Sequence, residues 1–358
     1  MTILHIITGL KKAAGTSVFC GGLANGMAVA GHDVTIAVVN PDAPDLYPLN
    51  NCVKIISISS ILTTNLPTTS DYDVVHIHGI WSPILHKVST WAHKNKIPVA
   101  WSTHGMTAPW SMRHKWWKKC LVWYFYQKKD LARASMIHST TDLEAKWNRE
   151  LGFKNLQTVI PLGTVLPAKK DSAVVKRGDV LRVLFVGRVY PVKGLINVVR
   201  AAAELKDCKI SFRIVGPDQA GHQAELMSEA EHLGVSAMFD WAGAKYGEEL
   251  SDEYDNCDML ILPSFTENFG ATVVDALYHG KPALASTFTP WKILEERNCG
   301  WWASNAPGDL AKVFRAIVAL NEDELNEMGR CGRKLVEEKY TWDAVCKAMV
   351  CGYEEILK

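Results

Sequence analysis

Short apolar runs alternate with longer helix-like segments along this sequence, and this alternation constrains the fold more than any other feature. Strands are predicted in the first half at Met1–Thr8, Asp33–Val39, Asp73–His78, Pro98–Thr103 and Met136–Ser139. Helices are predicted between them, for example at Thr16–Ala30 and Pro83–Asn95. Regular alternation of strand and helix indicates a parallel sheet with helices on both faces.

The alternation breaks near the middle of the chain and then restarts. The stretch from Ile160 to Asp179 contains prolines, a glycine and polar residues, so we predict a linker there. Further strands are predicted at Val180–Val186, Lys209–Val215, Asp258–Pro263 and Pro282–Ser286. Helices are predicted at Gly194–Leu205, His222–Leu233, Gly270–His279 and Asp309–Leu320, and in the tail after Tyr340. We therefore predict an α/β protein with two doubly wound, Rossmann-like domains, 1–163 and 164–340, that face an interdomain cleft.

Composition limits how partners can be attracted. The formal net charge is +1 over 358 residues, so no overall field attracts nucleic acid or a membrane, and any such partner must bind through a local patch. Residues Met1 to Thr8 lack the basic start of an export signal, and no run approaches the ~20 apolar residues of a membrane span. The nine cysteines have no paired spacing, which is typical of reduced thiols. We expect a cytoplasmic protein without a nucleic-acid partner.

A basic motif follows the first predicted strand of the second half. The run Val186–Gly194 contains Gly187, Arg188 and Lys193 between a buried strand and a helix. Two cations at the carboxyl end of a strand, beside the partial positive charge of a helix N-terminus, suit a phosphate anion. The alternative is that both cations are solvated loop residues.

An acidic motif follows the strand Asp258–Pro263. Its loop contains Glu267 and ends at Gly270, and Asp275 lies in the helix that comes next. Gly270 lets a ligand approach the backbone, and the helix offers free N–H groups. Carboxylates at these positions can accept hydrogen bonds from sugar hydroxyls. The alternative is that Glu267 caps the helix and Asp275 is solvated.

Together these residues resemble the retaining glycosyltransferases of family 4, and the resemblance covers nearly the whole chain. Further segments resemble the bacterial polysaccharide-synthesis branch: His76–Trp81, Thr103–Met106, Pro109–Trp110, Thr289–Trp291, Gly300–Trp302 and Tyr340–Trp342. The resemblance implies a GT-B fold with an N-terminal acceptor-side domain and a C-terminal domain that binds a nucleotide sugar. It also implies that the last helix, 341–358, crosses back to the first domain.

The resemblance assigns roles to the basic motif and to the acidic loop. Arg188 and Lys193 are expected to bind the donor diphosphate, with Gly187 beside them. Glu267 is expected to contact the donor sugar. The leaving diphosphate is then stabilised by fixed cations and helix N-termini, so no metal ion and no other cofactor are expected.

The helix that follows the acidic loop also inherits donor-binding roles. Backbone amides of Asn268, Phe269 and Gly270 are expected to contact the sugar and the phosphate. Asp275 stands where the family usually has Glu, and the family residue holds the ribose. The aspartate is one methylene shorter, so it reaches the ribose less well or through a water.

Three histidines follow or end strands of the first domain. The family residue that matches His104 points towards the donor sugar, whereas a lone histidine at a strand end is more often structural. His76 and His78 alternate along one strand and could form a metal pair. No cysteine or acidic residue nearby completes such a site, and the family needs no metal, so we predict none.

The first loop, Gly9 to Ser17, joins a strand to a helix. Family members often carry a Gly-Gly pair here, and this chain has Gly15 as its only glycine after Gly9. Gly15 is expected to allow close approach of the donor diphosphate. Thr16 or Ser17 is expected to cap the helix.

A basic aromatic segment spans Arg113 to Arg133. It has seven Lys or Arg residues and one acid, interleaved with aromatic residues. The residues assigned to a membrane or acceptor-side surface are Trp116, Trp117, Lys118 and Lys119. Such a helix suits an anionic membrane surface, which agrees with the lipid-linked acceptors of this branch. The alternative is an amphipathic helix whose aromatic side chains pack on the sheet.

The sequence therefore predicts a retaining, metal-independent glycosyltransferase for cell-surface polysaccharide synthesis. It is expected to move a hexose-type sugar from a nucleotide-diphosphate sugar to a saccharide or lipid-linked acceptor. A cytoplasmic location with peripheral contact at the inner membrane face follows from that acceptor. The alternatives are a non-catalytic sugar-binding protein and a nucleotide-sugar epimerase.

Overall fold

The computed structural model describes residues 1–11, 14–63, 72–113, 116–164 and 178–358. The interior of the predicted linker, residues 165–177, lies outside the described residues. The described residues form two compact units, Met1–Gly163 together with Thr341–Lys358, and Thr164–Tyr340. Each unit has its own parallel sheet and its own hydrophobic core.

Seven strands form the described sheet of the first unit. Their bounds are β1 Thr2–Ile7, β2 Asp33–Val38, β3 Lys54–Ser57, β4 Val74–His78, β5 Val99–Ser102, β6 Met136–Ser139 and β7 Leu156–Val159. The order is β3-β2-β1-β4-β5-β6-β7, and neighbouring strands are parallel. Ile3 and Leu4 belong to different apolar clusters, so the sheet is buried on both faces.

Seven described helices connect these strands. Their bounds are α1 Gly15–Val29, α2 Ile58–Thr63, α3 Pro83–Lys94, α4 Pro109–Arg113, α5 Trp116–Val122, α6 Lys128–Arg133 and α7 Asp142–Glu150. A π-helical turn, Trp123–Gln127, joins α5 to α6. All neighbouring strands of the described sheet are parallel, so each strand is reached through a crossover connection rather than a tight hairpin.

The described residues of the second unit repeat this architecture with six strands. Their bounds are β8 Leu181–Val186, β9 Ile210–Val215, β10 Phe239–Gly243, β11 Met259–Leu262, β12 Ala283–Ser286 and β13 Gly300–Ala303. The order is β10-β9-β8-β11-β12-β13, again with parallel neighbours. The helices are α8 Leu195–Ala202, α9 His222–His232, α10 Gly247–Asp255, α11 Ala271–Tyr278, α12 Ile293–Glu296, α13 Pro307–Val318 and α14 Glu322–Lys339.

The last helix, α15 Trp342–Ile356, packs on α1 in the first unit. The indole of Trp342 lies where Gly22 and Gly163 have no side chain, and a Cβ at either glycine would overlap its ring. Tyr353 is fully buried in the same core. A tryptophan docked between two glycines and a buried tyrosine together fix this helix to the first sheet.

In both sheets the strand order reverses once, between β1 and β4 and between β8 and β11. Ligands of open parallel sheets bind beyond the carboxyl ends of the strands at such reversals. The motifs found in the sequence follow β4, β8 and β11, which flank these reversals, and β5, which is the next strand after β4 in the sheet. The predicted α/β class with two Rossmann-like domains is confirmed. No helix of the described ranges is both long enough and apolar enough to cross a membrane.

Candidate functional site

Lys193 and Glu267 lie together beyond the ends of β8 and β11, although 74 positions separate them in the sequence. The Nζ atom of Lys193 donates to Oε1 of Glu267, and the two side chains are only 18% and 13% exposed. The hydroxyl of Ser264 donates to the same oxygen at 2.9 Å. Because water is largely excluded, this attraction is stronger than that of a surface ion pair.

Two contacts between the loops bring this pair together. The N–H of Phe265 donates to the carbonyl of Val192 at 2.9 Å. Gly194 packs against the carbonyl oxygen of Pro263 with a φ of 71°, and a Cβ there would overlap that oxygen. Only glycine meets both conditions, so the glycine of the basic motif sets the close approach of the acidic loop.

Helix α11 begins directly after Gly270, which has a φ of 83° and cannot cap the helix with a side chain. Asn268 and Phe269 form the preceding loop, and Nε1 of Trp291 holds it by donating to the Phe269 carbonyl at 2.5 Å. The N-terminus of α11 therefore keeps backbone N–H groups for a ligand.

Asp275 lies in the second turn of α11. Burial raises the pKa of its carboxyl group to about 6. Among the described residues, this carboxyl group has no hydrogen-bond partner and no cation. A half-buried carboxyl group without a partner is well suited to accept hydrogen bonds from a ligand.

Arg188 follows Gly187 but does not join the Lys193–Glu267 pair. Its Nη1 atom donates to Oε1 of Gln219 at 2.8 Å on the surface. Within the described ranges no carboxylate pairs with Arg188, whereas Arg213 of the same unit pairs with Glu253. The guanidinium group of Arg188 therefore keeps an unneutralised charge that an anionic ligand can use.

His104 follows β5 in a strained turn that Glu144 holds. The φ of His104 is 49°, which is uncommon for a residue with a side chain. Glu144 is fully buried, and its Oε1 atom accepts from the Thr103 hydroxyl at 2.6 Å and from the Gly105 N–H at 2.5 Å. Its Oε2 atom accepts from the N–H and the hydroxyl of Thr140, both at 2.8 Å.

Glu144 was not among the residues predicted from the sequence. The available signal was the spacing Thr141-x-x-Glu144, which is typical of a capping box. The hydroxyl of Thr141 does accept from the Glu144 N–H at 3.2 Å. The glutamate side chain instead binds both residues that flank His104, so its contacts position a candidate site residue.

His5, His76 and His78 lie close enough to surround an ion, with one ligand atom from each within 4.8 Å of the others. His5 was missed from the sequence, where only the His76-x-His78 pair was noticed. Both nitrogens of His76 already contact neutral hydroxyl groups, those of Tyr353 at 2.5 Å and Ser102 at 2.7 Å. An ion would have to displace one of these contacts, so the geometry favours a hydrogen-bonded cluster.

Gly15 begins α1, and the space where its side chain would stand is open. The hydroxyl of Ser17 accepts from the Lys11 N–H at 2.9 Å and donates to the Gly9 carbonyl at 3.1 Å. No side chain caps α1. The prediction that Thr16 or Ser17 caps this helix is therefore wrong, because the serine closes the loop before it.

The basic aromatic segment begins at the last residue of α4 and forms α5, the π-helical turn and α6. Four of its aromatic side chains are well exposed: Trp116 at 66%, Trp117 at 56%, Tyr124 at 77% and Phe125 at 79%. Trp123, in contrast, is buried, and its ring contacts those of Trp81 and Phe153. The alternative in which the aromatic side chains pack on the sheet holds for Trp123 and fails for these four.

The two lysines assigned to this surface differ in their surroundings. Lys118 is exposed, and its ammonium group lies 5.0 Å from the ring centroid of Trp117. Lys119 donates to the Ser111 carbonyl at 2.5 Å and lies 5.3 Å from the Trp81 ring, and burial lowers its pKa. Lys118 therefore belongs to the exposed surface, while Lys119 stabilises the segment itself. Residues 114–115 lie outside the described residues.

Comparison with known proteins gives two matches that follow one another along the chain. Residues 13–166 match the family described as Glycosyltransferase Family 4, and residues 168–335 match the family described as Glycosyl transferases group 1. The chain is a glycosyltransferase of the family 4 type. The resemblance drawn from its motifs is thereby confirmed.

Individual relatives of this family 4 glycosyltransferase are distant. D-inositol 3-phosphate glycosyltransferase of Gordonia bronchialis is 28% identical over 187 residues, which cover 49% of this chain and 40% of that protein. The chain thus spans less than half the length of this curated relative.

Solved structures of similar fold cover nearly all of the chain. Sucrose-phosphate synthase of Thermosynechococcus elongatus is 18% identical with a TM-score of 0.74, and 99% of each chain is covered. HepE of Anabaena, in complex with UDP and glucose, is 14% identical with a TM-score of 0.72 and the same coverage. At these identities the likeness shows the GT-B fold.

Proposed function

We propose that this family 4 glycosyltransferase is a retaining, metal-independent enzyme that transfers a hexose-type sugar from a nucleotide-diphosphate sugar to a saccharide or lipid-linked acceptor. The observation that carries the proposal is the Lys193–Glu267 pair beyond the carboxyl ends of β8 and β11. The ammonium group of Lys193 can bind phosphate, and the carboxylate of Glu267 can accept hydrogen bonds from sugar hydroxyls.

The donor diphosphate is proposed to bind the cationic side of this site. Arg188 has no carboxylate partner within the described ranges, and it can bind phosphate through two donors. Lys193 adds a second cation, and the uncapped N-terminus of α11 adds backbone N–H groups. These fixed groups stabilise the charge that develops on the leaving diphosphate, which supports transfer without a metal ion.

The rest of the donor is proposed to contact the acidic side. Glu267 accepts hydrogen bonds from the sugar, and the backbone of residues 268–270 lies beside the sugar and phosphate. Asp275 accepts from the ribose, and its lack of a partner within the described ranges supports this role. The structure of HepE with UDP and glucose supports a uridine nucleotide sugar as the first donor to test.

Transfer with retention is proposed to proceed by attack on the face that the leaving group departs from. The bond between the anomeric carbon and the phosphate oxygen breaks, and the acceptor oxygen forms a new bond to that carbon. The acceptor proton passes to an oxygen of the departing diphosphate. No carboxylate acts as a nucleophile in this scheme, so Glu267 needs only to bind and orient the sugar.

The acceptor is proposed to be presented at an anionic membrane surface through the basic aromatic segment. Four exposed aromatic side chains and the exposed Lys118, Lys128 and Lys129 support this contact. Co-sedimentation with vesicles that contain anionic lipid tests it, and we expect binding that added salt weakens. A double change of Tyr124 and Phe125 to serine should reduce binding, whereas wild-type protein that does not bind at low salt would refute the contact.

Incubation of the protein with UDP- and GDP-sugars, with and without a chelator, tests the proposed reaction. We expect nucleotide release that depends on an acceptor and survives chelation, with a product whose anomeric configuration equals that of the donor. Tight binding without turnover would instead support a sugar-binding protein. A changed sugar without release of nucleotide diphosphate would support an epimerase.

A further inference from the structure

Five histidines of the first unit form two hydrogen-bonded chains beneath the carboxyl edge of the sheet. In the first chain, Nε2 of His138 lies 2.8 Å from the carbonyl of Ile160, and its Nδ1 lies 2.7 Å from the hydroxyl of Ser102. That hydroxyl also lies 2.7 Å from Nε2 of His76, whose Nδ1 lies 2.5 Å from the hydroxyl of Tyr353.

A carbonyl can only accept, so the protons of this chain can be assigned from its end. Nε2 of His138 carries the proton, and its bare Nδ1 accepts from Ser102. The serine oxygen then accepts from Nε2 of His76. The bare Nδ1 of His76 accepts from Tyr353, and every donor in the chain has one acceptor.

The second chain joins His5, His78 and His104. Nδ1 of His5 lies 3.0 Å from Nε2 of His78, and Nδ1 of His78 lies 3.2 Å from Nε2 of His104. Nε2 of His5 is buried and has no partner among the described residues. A buried unpaired N–H is rarer than an unpaired acceptor, so the proton of His5 lies on Nδ1. His5 then donates to His78, and His78 donates to His104.

All three imidazoles of the second chain are neutral in the folded protein. Burial lowers the pKa of His5 and of His104 to about 3, in the latter case together with His138. Burial also holds the pKa of His78 well below its usual value. No carboxylate of the described ranges bonds to any of them, so each ring carries one proton.

We propose that His78 is a positioning residue that fixes the tautomer of His104. Because Nε2 of His104 accepts from His78, its single proton lies on Nδ1, which has no partner among the described residues. His104 thus presents a neutral N–H donor. Such a donor can form a hydrogen bond to a hydroxyl oxygen of the sugar. Because the ring is neutral, it does not repel the positive charge that develops at the anomeric carbon. The consequence for transfer rests on the proposed function, whereas the tautomer assignment does not.

The surroundings of His104 agree with a ring held in one orientation. Glu144 fixes the backbone on both sides of it, as described above. The ring of His78 stacks on that of His104 with centroids 5.4 Å apart, and the edge of Phe19 contacts it at 5.3 Å. With the ring held, the identity of the protonated nitrogen decides what a ligand meets.

Imidazole nitrogen NMR on the whole protein tests this assignment without need of a substrate. In the wild type we expect the nitrogen shifts of His104 to show a proton on Nδ1. In His78→Leu this preference should be lost. In His78→Asn it should be retained, because the amide nitrogen of asparagine can stand where Nδ1 of histidine stands.

Ser102→Ala is the matched control, because it breaks the first chain at an equally buried position and should leave His104 unchanged. A proton on Nε2 of His104 in the wild type, or unchanged shifts in His78→Leu, would overturn the proposal. If sugar transfer is established, His78→Leu should lower kcat about tenfold or more with little change in the KM for the donor, and His78→Asn should restore it. An inactive wild type would count against the function alone, since the NMR result stands apart from it.

Discussion

The ammonium group of Lys193 and the carboxylate of Glu267 form an ion pair that joins the loop after β8 to the loop after β11. The carboxylate also accepts from Ser264, so it is held from two sides. A donor that binds here finds both charges already in place, which lowers the cost of ordering them on binding. The pair is therefore the part of the site on which the proposed donor binding and sugar transfer depend.

Arg188 should contribute to donor binding because its charge is not neutralised by a carboxylate of the described residues. We expect Arg188→Ala to weaken nucleotide-sugar binding about 10- to 100-fold, since a hydrogen bond to a charged group contributes about 1.5–3 kcal/mol. Arg188→Lys should recover part of the loss. Arg200→Ala is the control, because Arg200 pairs with Glu229 on the surface. Calorimetric titration that finds equal affinities for Arg188→Ala and the control would contradict this role.

Asp275 should make donor binding depend on pH. Its pKa is raised to about 6 by burial, so the carboxyl group is ionised at pH 7.5 and protonated at pH 5. A carboxylate accepts hydrogen bonds from ribose more strongly than a carboxylic acid does, so affinity should fall as the pH drops through about 6. Asp275→Asn should bind more weakly at pH 7.5 and show no such step. A step that persists in the asparagine variant would assign it to another group.

The strands of the sheet interior could be predicted from sequence, and those at the sheet edges could not. The predicted strand Met136–Ser139 agrees with β6 because its residues are buried on both faces. Strands β3 and β7 were missed, since they lie at the edges and alternate little between apolar and polar residues. Edge strands are half exposed, so hydrophobic periodicity carries less information about them.

For the site, sequence motifs identified the loops but not the contacts made across the sheet. The partners Lys193 and Glu267 were found because each lies in a recognisable motif. Glu144 was missed because its partners lie in the loops that follow β5 and β6, and no local pattern shows that its carboxylate is buried. His5 and His138 each interrupt an apolar strand, and that interruption was the signal for a buried polar cluster.

Protonation of the buried histidines should destabilise the first unit in acid. The pKa of His5 and of His104 falls from 6.5 to about 3 in the folded protein, so between these values the unfolded chain binds more protons. These two groups do not lower stability above pH 6.5, and each costs about 1.4 kcal/mol per pH unit between pH 6.5 and about 3. The pKa of Asp275 is raised on folding, so Asp275 has the opposite effect on stability between pH 3.8 and about 6. It belongs to the other unit.

Urea unfolding at pH 7.5 and pH 5.5 measures this effect. We expect a clear loss of unfolding free energy at the lower pH, and a smaller loss in His5→Leu because one titrating group is removed. Equal stability at the two pH values would show that the cluster accepts protons in the folded state.

Glu144→Gln should disturb both stability and turnover. The amide would direct its NH2 group at two donors, either those of Thr103 and Gly105 or those of Thr140. We expect a loss of about 1–3 kcal/mol of unfolding free energy and a fall in kcat, because the turn that carries His104 loses its support. Glu150→Gln on the exposed side of the same helix is the control. Equal unfolding free energies of Glu144→Gln and Glu150→Gln would refute the positioning role of Glu144.

Acceptor-dependent nucleotide release by Glu267→Gln, compared with Asp258→Asn, tests whether the carboxylate of Glu267 serves sugar transfer. Both changes neutralise a largely buried carboxylate next to β11, but Asp258 precedes the strand and pairs with Arg182. We expect Glu267→Gln to remain folded and to lose most of its turnover, about 10-fold or more, while the turnover of Asp258→Asn stays close to that of the wild type once its loss of stability is allowed for. Near-normal turnover in Glu267→Gln, or an equal loss in both variants, would contradict it.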